Sequence, residues 1–75
     1  MRRLAVKATD CSGERLCRIA LRAGFKVKAG GKHWKVETKE GAWVTTIPRH
    51  RRLKRELVKA IVQRLEEFGA NVAVS

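Results

Sequence analysis

No stretch of this 75-residue chain approaches the roughly 20 consecutive apolar residues of a membrane span. Its amino terminus, MRRLAVKATD, has no apolar run long enough for a signal-peptide core. The expectation is a soluble, cytoplasmic protein that does not enter a membrane. Acidic residues are scarce, with 7 Asp+Glu against 18 Lys+Arg and a formal net charge of +11. The chain has no paired-carboxylate set, no Ser/His/Asp set, no phosphate-cradling Walker loop and no dinucleotide fingerprint, which removes the chemistries those motifs serve. Cysteine is limited to Cys11 and Cys17, spaced neither as a zinc pair nor as a CxxC redox motif. Six residues apart on or near one helix they point in different directions, so they read as reduced thiols, with Cys17 packed. Cys11, Cys17, His33 and His50 do not match the spacing of any common zinc module, so neither metal nor cofactor is expected.

What is abundant is positive charge on a foldable background: 44% of the residues are apolar, too many for a disordered basic tail. At this length the chain makes one domain, 1–75, with its core in about 12–69 and with 1–10 and 70–75 left as flexible ends. A surface of this sign steers polyanions by Coulomb attraction and counterion release, so nucleic acid leads the candidate partners; an anionic membrane or an acidic protein would also satisfy the charge.

The order of elements follows from periodicity. Ser12, Gly13 and Glu14 make a helix start, in which the Ser12 hydroxyl caps a free amide and Glu14 complements the positive terminus. Leu16, Ile19, Ala20 and Ala23 form one stripe, Arg15, Arg18 and Arg22 lie largely outside it, and Gly24 is the stop. Alternation then replaces the helical period. Phe25, Val27 and Ala29 alternate with lysines, Gly30-Gly31 signals a hairpin, and Trp34 and Val36 alternate with His33, Lys35 and Glu37. Thr38 to Gly41 makes a second turn, and a third strand from Trp43 to Ile47 stops at Pro48. Its facing is ambiguous, because Val44 and Ile47 have opposite parity. From about Arg51 the period is helical again, with Leu53, Leu57, Ile61, Leu65 and Phe68 on one stripe and Gly69 as the stop. The expected fold is a two-layer α+β domain, α-β-β-β-α, with a three-stranded antiparallel sheet and both helices on one face. The opposite face should display His33, Lys35 and the lysines at 26 and 28.

His33, in GGKHWKV, is one of two histidines. An imidazole titrates near neutrality, and RNA carries its own nucleophile, the 2′-hydroxyl, so a positioned histidine among cations suffices to move the protons of strand cleavage. A histidine beside a strand turn is also commonly an ordinary surface residue, and spacing alone does not separate the two. Trp34 shares parity with Val36 and reads as core, whereas Trp43 stays open between core and surface. The run Arg49-His50-Arg51-Arg52-Leu53-Lys54-Arg55 places five formal positive charges, on Arg49, Arg51, Arg52, Lys54 and Arg55, at a helix entrance. Cations there cost helix stability and favour phosphate, which points to binding.

Gly24-Phe25, Gly31-Lys32-His33 and Pro48-Arg49-His50, followed by the basic amphipathic helix RRLKRELVKAIVQRL, resemble in order and spacing the HicA family of toxin endoribonucleases, over about Ser12 to Phe68. The resemblance implies a fold like the double-stranded-RNA-binding domain, cleavage of mRNA and neutralisation by a HicB-like antitoxin. It assigns the catalytic role to His33. Lys32 stands where that family commonly has a small Ser or Asp, and the segments before Asp10 and after Gly69 lie outside the pattern. On this reading the protein is a metal-independent ribonuclease, monomeric when free and hetero-oligomeric with its antitoxin. Lys28, Lys32, Lys35, Arg49, His50, Arg51, Arg52 and Arg55 then hold the RNA. The alternative is a non-catalytic RNA-binding module of the same architecture, reading A-form shape through phosphate and 2′-hydroxyl contacts.

Overall fold

The computed structural model describes residues 4–75. Its elements are β1 (Leu4–Val6), α1 (Gly13–Arg22), β2 (Lys26–Ala29), β3 (His33–Glu37), β4 (Trp43–Pro48), α2 (Arg55–Glu67) and β5 (Val72–Val74). The α-β-β-β-α order of an α+β domain is present, with β2, β3 and β4 forming an antiparallel sheet in that spatial order. Both helices cover one sheet face, where Val36, Val44 and Ile47 meet Leu16, Ile19 and Ala20 of α1 and Val58, Ile61, Val62 and Leu65 of α2 in one core. The Ser12 hydroxyl caps α1 as expected, accepting from the Arg15 amide at 3.1 Å.

The ends depart from expectation. β1 and β5 pair in a two-stranded parallel ladder, Leu4 with Val72 through Val6 with Val74, and Val6 and Val72 are buried. Of the segment read as a flexible amino-terminal end, residues 1–3 lie outside the described residues. Leu4 onward is tied down, because its apolar residues find partners in a tail that local pattern alone left unpaired.

The second helix is also shifted. It begins at Arg55 and not near Arg51, with Lys54 at its amino-terminal cap and no side-chain cap bond. Leu53 precedes it, buried, its amide donating to the Cys11 carbonyl at 2.8 Å. The stripe counted from Leu53 coincides only partly with the buried face. The helix buries Val58, Ile61, Val62 and Leu65, while Leu57 and Phe68 are 36% and 40% exposed. Leu57, Ile61 and Leu65 keep helical spacing within α2, but Val58 and Val62 share Ile61 and Leu65 with that stripe, and theirs is the side that meets the sheet, so spacing alone does not choose between the two overlapping stripes.

A β-bulge resolves the ambiguous facing of β4. Thr45 pairs with Val36 and Trp43 with Glu37, which leaves Val44 as the extra residue. Val44 turns inward and is fully buried, and Trp43 turns out to the other face.

Candidate active site

The strand face away from the helices carries His33, Lys35 and Glu37 from β3, Lys26 and Lys28 from β2, and Trp43 and Thr46 from β4, as the cross-strand register dictates. His33 is the first residue of β3 and is exposed. Its carbonyl accepts from the Gly30 amide at 2.8 Å, which closes the hairpin with Gly31 and Lys32 at its tip. A Cβ on Gly30 would lie 2.8 Å from that carbonyl oxygen, so the close crossing under His33 requires glycine.

Across the ladder His33 pairs with Pro48, and the Arg49 amide donates to the Lys32 carbonyl at 3.2 Å. The two histidine-bearing motifs, 31–33 and 48–50, are thus neighbours in space. The His50 carbonyl in turn accepts from the Gly13 amide at 2.9 Å at the start of α1. A Cβ on Gly13 would sit 2.0 Å from the Pro48 carbonyl oxygen, so only glycine admits this approach of helix to strand. The Arg49 guanidinium lies over the Trp34 ring, 4.7 Å from its centroid, which holds the cation beside the hairpin. Trp34 is half-buried against the core, in keeping with its parity.

The cations do not form one continuous cluster. Lys32, Lys35, Arg49 and His50 are exposed around the His33 end of the sheet. Lys28 faces Lys35 across the ladder but pairs with Glu37 at 3.2 Å, so part of its charge is already compensated. Arg51 and Arg52 sit in the loop before α2, and Arg55 begins that helix; none of the three makes an ion pair among the described residues, and the helix entrance lies further along the chain than its charge run suggested. Glu37, with only 12% of its side chain exposed, is the carboxylate that sequence reasoning did not single out. Its parity with His33 and Lys35 was the available signal.

Cys11 and Cys17 are free and buried. Burial pushes both thiols up, Cys17 to about 11, with Arg49 opposing the shift and Glu14 adding to it. Neutral thiols are poor ligands and nucleophiles. Among the described residues no three His, Cys, Asp or Glu side chains gather as a metal site, and no helix is long and apolar enough to cross a membrane.

A family model described as the HicA toxin of bacterial toxin-antitoxin systems matches residues 13–70. The chain belongs to the HicA toxin family. Neither the curated proteins nor the solved structures contain a match to it. The HicA match opens at Gly13, the glycine that docks on Pro48, and spans both histidine motifs through the end of α2. β1 and β5 fall outside it, so the parallel ladder joins two segments that the HicA family pattern does not include. Membership makes the protein a toxin of a toxin–antitoxin pair.

Proposed function

We propose that this HicA toxin is an endoribonuclease that cuts mRNA, with His33 as its proton-transfer residue. The observation that carries the reading is the placement of His33: exposed at the rim of a closed hairpin, laddered to Pro48-Arg49-His50, with Lys32 and Lys35 on either side of it in the chain. In the reaction the imidazole of His33 accepts the proton of a ribose 2′-hydroxyl as its oxygen attacks the adjacent phosphorus. The bond from phosphorus to the 5′-oxygen breaks, and that oxygen takes a proton from the imidazolium or from water, leaving a 2′,3′-cyclic phosphate and a 5′-hydroxyl. Lys32 and Lys35, flanking His33 in the chain, offset the charge that builds on the phosphorane oxygens, while Arg49, stacked on Trp34, holds the backbone beside the hairpin. Lys28, His50, Arg51, Arg52 and Arg55 hold the backbone to either side. Because the nucleophile belongs to the RNA and the proton carrier to the protein, the chemistry does not call for a metal ion.

A HicB-like antitoxin is the proposed neutralising partner, covering the strand face, and the +11 charge favours fast association with an acidic protein. The test incubates wild type and His33→Ala with labelled single-stranded RNA in excess EDTA, with circular dichroism confirming the fold. Cleavage by wild type, reduced about 10²–10⁴-fold in the variant, is expected. Salt-sensitive binding by both without cleavage would make the chain an RNA-binding module.

A further inference from the structure

The bulge in β4 has a consequence at the far end of the strand face. In a regular strand running back from inward-facing Thr45, Val44 would face out and Trp43 would point into the core; with the bulge at Val44, Trp43 emerges on the same side as His33, 53% exposed. An indole set out on a cationic surface is unusual, because so large an apolar ring gains most by burial. The surroundings hold this ring still. Its Nε1 donates to the Thr46 hydroxyl at 3.3 Å, and the Arg64 guanidinium lies over one side, 5.5 Å from the centroid.

Arg64 is itself anchored three ways. Its Nε donates to the Val44 carbonyl at 3.0 Å, the carbonyl of the bulged residue, its Nη1 pairs with Glu67 at 2.6 Å, and it also caps the Phe68 ring at 5.1 Å. The bulge therefore both presents Trp43 and supplies the acceptor that fixes the cation stacked on it. Arg64 lies over the indole, and 53% of the residue remains exposed to solvent.

We propose that Trp43 is a base-stacking site for single-stranded RNA. The inference rests on the ribonuclease reading and deepens it, naming the part of the surface that takes up an unpaired base while the scissile phosphate lies at His33. Glu37, opposite Trp43, is four residues from His33 along β3, about 13 Å at the rise of a strand. Lys35 lies between them on the same face. A strand of RNA bound along this line meets a proton-transfer group at one end, a phosphate contact in the middle and an aromatic plane at the other. Stacking on a rigid indole needs no particular base, so Trp43 adds affinity and sets the position of the chain over His33 without dictating sequence.

The test uses the full chain with His33→Ala, which keeps the oligoribonucleotide intact, and compares Trp43 with Trp43→Leu and Trp43→Phe. A labelled single-stranded oligoribonucleotide and an abasic oligomer of the same length are the probes. Trp43→Leu is expected to weaken the base-bearing oligomer about tenfold or more, Trp43→Phe to retain most of the affinity, and neither to change binding of the abasic oligomer. In a Trp34→Phe protein, where Trp43 is the remaining tryptophan, the base-bearing oligomer should quench fluorescence and the abasic one should not. This readout stands even if the leucine variant fails to fold. Equal affinities across the three proteins, or equal losses for both oligomers, would overturn the stacking site while leaving the ribonuclease reading intact. Loss of antitoxin binding with RNA binding unchanged would overturn it in favour of a protein interface. Absence of both RNA binding and RNA cleavage by the protein with His33 in place would remove the ribonuclease reading and the stacking site together.

Discussion

Gly13 is the residue on which the two halves of the site depend. Its amide is taken by the His50 carbonyl, and its missing side chain lets α1 approach the Pro48 carbonyl. Gly13→Ala forces a Cβ to 2.0 Å from that oxygen, so backbone must move. The expected cost is about 1–3 kcal/mol, read as a lower urea midpoint with unchanged slope; under the proposed ribonuclease function, RNA cleavage should fall as well, because 48–50 shifts relative to His33. Cys17 makes a prediction about pH. Its thiol is pushed up to about 11 by burial, above the unfolded value of 9.0, so the folded chain keeps the proton longer. Below pH 9 both states hold it and stability is unaffected; between about 9 and 11 the unfolded chain releases it first, and stability falls. Urea midpoints measured across that range should drop more for wild type than for Cys17→Ala. A wild-type curve parallel to the variant's would show that the thiol is not held protonated.

At the scale of elements, the phase of α2 decides which apolar residues matter. Ile61 is buried and Leu57 is exposed, although both belong to the stripe read from Leu53. Ile61→Ala is expected to cost about 2–5 kcal/mol and Leu57→Ala less than about 1 kcal/mol, measured by chemical denaturation. Comparable losses at the two positions would mean the helix is rotated from the face described. The first helix was legible because its cap, stripe and stop are contiguous and agree with one another. The second was half legible: Ile61 and Leu65 were placed, and Leu57 and Phe68 were not, because Val58 and Val62 form an overlapping stripe with Ile61 and Leu65 and only packing on the sheet selects it. β4 was ambiguous for a related reason, since a bulge adds one residue and reverses the parity on either side of it.

For the whole molecule, charge is the dominant property. If single-stranded RNA lies along the strand face, the logarithm of its affinity for His33→Ala protein should fall linearly with the logarithm of salt concentration, and Lys35→Ala should flatten the slope by about 0.7. An unchanged slope would place Lys35 off the backbone track. The overall balance, +11 on a chain with 44% apolar residues, already marked a folded chain with a strongly basic surface, and local periodicity specified two helices flanking a three-stranded meander. The two motifs of the proposed site, Gly31-Lys32-His33 and Pro48-Arg49-His50, were legible as motifs because the residues of each are adjacent in the chain. Four things came only from tertiary structure: the parallel pairing of β1 with β5, the meeting of the two histidine motifs, the ion pair that compensates Lys28, and the outward turn of Trp43. The first two join residues far apart in sequence, and the last two depend on strand register; all four are set by which apolar residues are buried, with Val6 and Val72 fixing the ladder and Val44 the bulge, and not by local preference alone.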